Sequence, residues 1–177
     1  MYRFLLDIVK RLLLPLLAAI ALPTAVNAAY IQKDVNPMTD EQSLLIIERS
    51  SNSVDNSIGI GEKGYFFIGC LDMEGENRTN VAFKTPTYNT SDPQDILVRF
   101  DKKDSEKMLW LGQNGGNGFV LPVSNSHEFI KNILSHSKLA LQWETWPDST
   151  KKYLIFDLDG LKKEIAKGKE EGCNFNF

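Results

Sequence analysis

Histidine and cysteine are the scarcest chemistry-bearing residues here: the 177-residue chain holds two of each. His127 and His136 stand nine positions apart on a stretch that reads as helix. At about 100° per residue they face opposite ways and cannot share one metal ion. No Cys/His spacing suits zinc, and there is no C-x-x-C redox pair. Long hydrophobic runs are also lacking: Leu12–Leu22 is the most apolar stretch and is too short to span a bilayer comfortably. Basic clusters are missing as well, with 20 Lys+Arg against 23 Asp+Glu. That balance argues against nucleic acid or an anionic membrane surface as partner. No metal, cofactor or catalytic residue is therefore expected.

What is present begins with an address. Arg3, Lys10 and Arg11 precede the apolar run, and Pro23–Ala28 ends in small residues. Val26 and Ala28 suit the −3 and −1 positions of a signal peptidase, so residues 1–28 read as a signal peptide cleaved before Ala29. Residues 29–177 then form one β-rich domain. Its acidic excess is about five charges once the leader is removed, and no second segment approaches membrane-spanning length. The expected location is periplasmic or secreted. There the single cysteine pair, Cys70 and Cys173, has one intramolecular connectivity and is expected to form a disulfide.

Eight short segments rich in β-branched and aromatic residues read as strands: 43–49, 65–71, 81–87, 95–100, 107–111, 118–123, 138–145 and 151–158. Turn-forming residues at 52–64, 89–93 and 112–118 separate them. Residues 65–71 are apolar on both faces, as in a central strand, whereas 138–145 alternates, with Leu139, Leu141 and Trp143 on one side. One helix carries Phe129, Ile130, Ile133 and Leu134 on a stripe, capped by Ser124 or Ser126. A shorter one covers about 161–167. The fold class is mainly β (α+β): an antiparallel β-sandwich or half-barrel of about seven or eight strands with two short helices.

Three motifs invite sharper readings. Asp157-Leu158-Asp159-Gly160 after an apolar strand resembles the nucleophile motif of haloacid-dehalogenase-type phosphatases. That chemistry needs a parallel sheet and downstream partners, and only 17 residues follow Gly160. A strand ending in a helix cap, with Asp159 accepting from first-turn amides, is the expected role. The Gly112–Gly118 run precedes a strand-like segment instead of a helix, so it reads as a hairpin tip, not a phosphate loop. Glu144, Asp148, Asp157 and Asp159 supply carboxylates, but a glycosidase pair needs two flanking a cleft. Asn77-Arg78-Thr79 and Asn89-Thr90-Ser91 match glycosylation acceptors in form only. Trp110 and Trp143 lie on apolar faces, while Trp146 falls on the register of Gln142 and Glu144 just before Pro147, where an exposed ring is a binding anchor.

Taken in order, the landmarks resemble the VasI-like family of exported proteins linked to bacterial type VI secretion. The matching positions are Pro37-Met38-Thr39-Asp40, the Leu44–Glu48 strand, the segment bearing Cys70, Val98-Arg99-Phe100-Asp101, and Trp110 with Phe119. Phe129, Ile130 and Leu134 follow, then Leu139-Ala140-Leu141, Phe156–Leu161 and Cys173. The tail departs, with Cys173-Asn174-Phe175 where the family carries Cys-x-Trp. The resemblance implies a non-catalytic envelope accessory that contacts the secretion apparatus or the nearby cell wall.

The resulting expectation is a disulfide-stapled exported protein that binds another envelope protein, with Trp146, Arg99, Gln142 and Glu144 as candidate contacts. The alternative is a periplasmic inhibitor or immunity protein against a secreted wall-degrading effector. A cell-wall hydrolase is third.

Overall fold

Alternation of apolar and polar residues sets the architecture, because each strand of a one-sided sheet turns every second side chain to the core. The structure, a computed structural model, describes residues 29–35, 37–38, 42–73, 76–173 and 175; the expected signal peptide lies outside them, as do Thr39, Asp40 and Asn174 of the family pattern. Among the described residues nine strands form one sheet: β1 (Tyr30–Val35), β2 (Gln42–Asp55), β3 (Gly61–Met73), β4 (Glu76–Lys84), β5 (Gln94–Phe100), β6 (Glu106–Gly112), β7 (Gly118–Val120), β8 (Lys138–Glu144) and β9 (Lys151–Asp157). Helix α1 (Val123–Ser135) joins β7 to β8, and α2 (Leu158–Glu170) follows β9. The spatial order is β1-β2-β3-β4-β7-β6-β5-β8-β9, and every neighbouring pair is antiparallel.

The sheet bends until β9 meets the far half of β2, yet no backbone ladder joins them among the described residues. Side chains bridge that seam. The register of β2 shifts between Arg49 and Ser53, and the displaced Asn52 turns toward β9. Its Nδ2 donates to the Tyr153 carbonyl at 2.9 Å, and its Oδ1 accepts from the Ile155 amide at 2.7 Å. Ser51 Oγ adds a bond to the Ile155 carbonyl at 3.1 Å. One amide side chain thus occupies the place of a backbone ladder rung.

Both helices lie on the concave side. The Phe129 ring of α1 sits 6.2 Å from Phe66 of β3, 5.4 Å from Phe100 of β5 and 5.5 Å from Trp110 of β6. Phe83 joins this set through Trp110 and Phe119, each 5.1 Å away. These buried rings make truncation costly, at about 3–5 kcal/mol for a Phe→Ala change. Helix α2 runs along the inward row of β2. A Cβ on Gly160 would lie 3.5 Å from Glu48 Oε2, and one on Gly168 would lie 3.5 Å from Leu44 Cδ2. Eight helical residues rise about 12 Å and four strand residues about 13 Å, so helix and strand stay in step. Cys173, just beyond α2, bonds to Cys70 on β3 with a Cα–Cα distance of 5.9 Å.

Several local expectations change. Residues 30–35 are a strand that the pattern concealed, because β1 is an exposed edge with little apolar alternation. Most of the expected 52–64 loop is strand. Its turn is confined to residues near Asn56, whose Oδ1 accepts from the amides of Ile58 and Ile60, both at 3.0 Å. The 81–87 strand instead spans Glu76–Lys84, and β7 stops at Val120 because Pro122 starts α1. Neither Ser124 nor Ser126 caps that helix: Pro122 holds the cap position without a side-chain bond, and Ser126 is buried. Leu134 leaves the buried stripe and is exposed. Helix α2 is longer than expected, and Asp157, not Asp159, caps it by accepting from the Asp159 amide at 3.0 Å.

Candidate functional site

Three connections converge at one end of the sheet: residues 85–93 between β4 and β5, the β6–β7 turn, and residues 145–150 between β8 and β9. Glycine makes the convergence possible. Gly116, with φ +66°, lies so close to the 85–93 segment that a Cβ would meet the Asn89 carbonyl at 2.5 Å and the Tyr88 ring at 2.6 Å. The Asn89 amide bonds the Gly116 carbonyl at 2.5 Å, and the Thr85 amide bonds that of Asn117 at 2.9 Å. Below them Asn89 is fully buried, its Nδ2 donating to Thr85 Oγ1 at 2.7 Å, while Trp143 Nε1 donates to Thr87 Oγ1 at 3.2 Å. A satisfied buried polar network of this kind fixes the loop geometry. It also removes Asn89 from consideration as a glycan acceptor.

On this base stand two exposed rings. Trp146 is 59% exposed and Tyr88 54%, with centroids 6.0 Å apart in an edge-to-face arrangement. The Trp146 amide donates to the Tyr88 carbonyl at 3.4 Å, and the Trp146–Pro147 peptide is cis. Asp148 ties the β8–β9 loop by accepting from Thr145 Oγ1 at 2.5 Å and Thr150 Oγ1 at 2.6 Å. The Thr145 hydroxyl, then those of Thr150 and its amide, hold the Asp148 carboxyl down at about 2.

The other expected contacts lie on the neighbouring strands β5 and β8. Gln142 pairs with Leu97 of β5 and Tyr153 of β9, and Arg99 pairs with Ala140. Arg99 and Gln142 line one open groove of about 290 Å³ together with Leu97, Tyr153 and Ile155. Glu144, exposed, stands one outward step further on, in register with Lys151, and its carbonyl accepts from Gln94 Nε2 at 3.2 Å. The structure therefore brings Arg99 and Gln142 together, places Glu144 next along the row, and gives Trp146 a different immediate partner, Tyr88. Sequence reasoning missed Tyr88 and Tyr153. Tyr88 sits among turn residues, and only tertiary pairing marks it; Tyr153 stands on the outward phase of an alternating strand, a signal that was legible.

The D-x-D-G segment is a strand-to-helix junction on an antiparallel strand. Asp157 is engaged as the cap, and Asp159 pairs with Lys162 at 3.0 Å. The His136 ring packs 5.1 Å from Phe100 and its Nδ1 lies 2.8 Å from the Asn132 carbonyl. Among the described residues no group of three His, Cys, Asp or Glu is placed to hold a metal ion. Among them, too, no helix is long and apolar enough to cross a membrane. No protein-family model, curated protein or solved structure matches this chain.

Proposed function

We propose that the chain is an exported, non-catalytic binding protein of the bacterial envelope, acting by protein–protein contact. The supporting observation is the Tyr88–Trp146 pair, two large rings held in water on loops that a buried network and Asp148 make rigid. Exposed aromatics on a pre-ordered base lose little entropy on docking, which is the economy of a binding hot spot. The outward row through Gln142 and Glu144, with Arg99 beside it, supplies a polar flank suited to orienting a partner. The disulfide fits an oxidising compartment. The likeness to VasI-like proteins favours a partner in or near a secretion apparatus. Pull-down from envelope extracts tests the reading: the native chain retains a partner that the Tyr88→Ala/Trp146→Ala chain loses. Recovery of a wall-degrading enzyme would move the role to inhibition, and no partner for either chain would refute binding as the function.

A further inference from the structure

The inward row of β2 is Leu44, Ile46, Glu48 and Ser50, so a carboxylate occupies a core position. Glu48 is 2% exposed. Continuing the β1–β2 register from Tyr30↔Ile47 by one residue sets Ala29 directly opposite Glu48. The Ala29 amide donates to the Glu48 carboxyl, and Ala29 is itself only 6% exposed. Glu48 Oε2 is buried without a hydrogen-bond partner. The first turn of α2 closes over this pair at Gly160, where a Cβ would stand 3.2 Å from the Ala29 nitrogen. Having no side chain there leaves room around that nitrogen. The charge that acts on Glu48 is another carboxylate, Asp157, and the Lys162 ammonium of α2 is committed to Asp159. The Arg49 amide also donates to this carboxyl, and a buried acid with an empty oxygen beside a second acid either keeps its proton or takes a cation partner.

Ala29 is also the residue that follows the small-residue cleavage signal Val26-x-Ala28. We propose that Ala29, Glu48 and Gly160 form a built seat for the α-ammonium that leader cleavage creates, so that processing completes the core. Water hydrolyses the Ala28–Ala29 peptide bond, Ala28 leaves with its new carboxylate, and the Ala29 amine takes up a proton. One amide donor becomes three charge-assisted donors, enough to fill the vacant Oε2 as well. The same atoms in the uncut chain offer one neutral N–H.

The inference rests on the export reading, and its test separates the two. Protein purified from the envelope is first sequenced at its N-terminus: a chain beginning at Ala29 is expected. A chain that keeps residues 1–28 would overturn the export reading, and a mature chain starting elsewhere would overturn the seat alone. Next, the folded mature protein is treated with a reductive-methylation reagent. Its α-amine should react at least about tenfold more slowly than in urea, and Glu48→Gln should abolish that protection. Because Glu48→Gln can weaken the fold, a mature chain N-acetylated at Ala29, with every side chain native, is melted beside the free-amine form. Losing a buried ion pair in a domain of this size should lower Tm by roughly 10 °C. Equal melting temperatures, or an α-amine as reactive folded as unfolded, would refute the seat.

Discussion

Replacing Asn52 by alanine probes how the sheet is held together. Its amide makes two bonds across the β2–β9 seam, to the Tyr153 carbonyl and from the Ile155 amide. Each such bond contributes about 0.5–1.5 kcal/mol net, and stranding the Ile155 amide adds a desolvation cost, so the loss should be about 2–3 kcal/mol. For a domain near 150 residues that corresponds to a Tm decrease of roughly 6–10 °C. The Ile155 N–H points away from β8 to reach Asn52, so its protection from hydrogen exchange depends on this one side chain. Asn52→Ala should abolish that protection while amides of the β8–β9 ladder stay slow. Ser51→Ala, which removes one exposed bond to Ile155, should cost under about 1 kcal/mol. An Asn52→Ala protein within 0.5 kcal/mol of native by urea unfolding, with Ile155 still protected, would refute the seam.

Three further outcomes follow from the same structure. The Cys70–Cys173 bond closes a separation of 103 residues, so the double Ser variant should lose about 4–5 kcal/mol of stability in urea titration. In a chain whose Ala29 nitrogen is blocked, burial and then the Asp157 charge push Glu48 up to about 8, against the counter-pull of the Arg49 and Ala29 amides. The folded state then keeps a proton that the unfolded chain releases near 4.5, so stability is full below that pH and falls as pH rises to about 8, by on the order of 5 kcal/mol. Glu48→Gln should flatten this slope in unfolding curves. Asp148 has the opposite sign: its lowered carboxyl supports the β8–β9 loop above pH 3.8, and that support is lost as pH falls through about 2. Asp148→Ala should loosen Trp146, read as weaker partner retention together with a lower Tm.

Legibility in the sequence followed apolar phase. Residues 65–71 and 138–145 read correctly because one is apolar on both faces and the other alternates strictly, and each pattern permits one burial geometry. The cysteine pair had one possible partner each, and Trp146 stood on the outward phase. What failed was structure that neighbours impose. Residues 50–53 (Ser-Ser-Asn-Ser) have poor strand propensity, yet they extend β2 because a bulge turns Asn52 onto β9. The edge strand β1 is exposed at all but Ile31 and so has little pattern to read. Glu48 was visible as the single acid on the inward row, after the apolar Leu44 and Ile46. Its meaning depended on Ala29 lying across from it, a pairing that no local window contains.

The proposed role is tested most directly inside the cell, by replacing Tyr88 with a photo-crosslinking phenylalanine and, separately, placing the same residue at Lys163 on the exposed side of α2. Irradiation should give one discrete heavier species from position 88, lost when Trp146→Ala is added, and none from position 163. No adduct at position 88, or the same adducts from both positions, would contradict a working surface centred on the Tyr88–Trp146 pair.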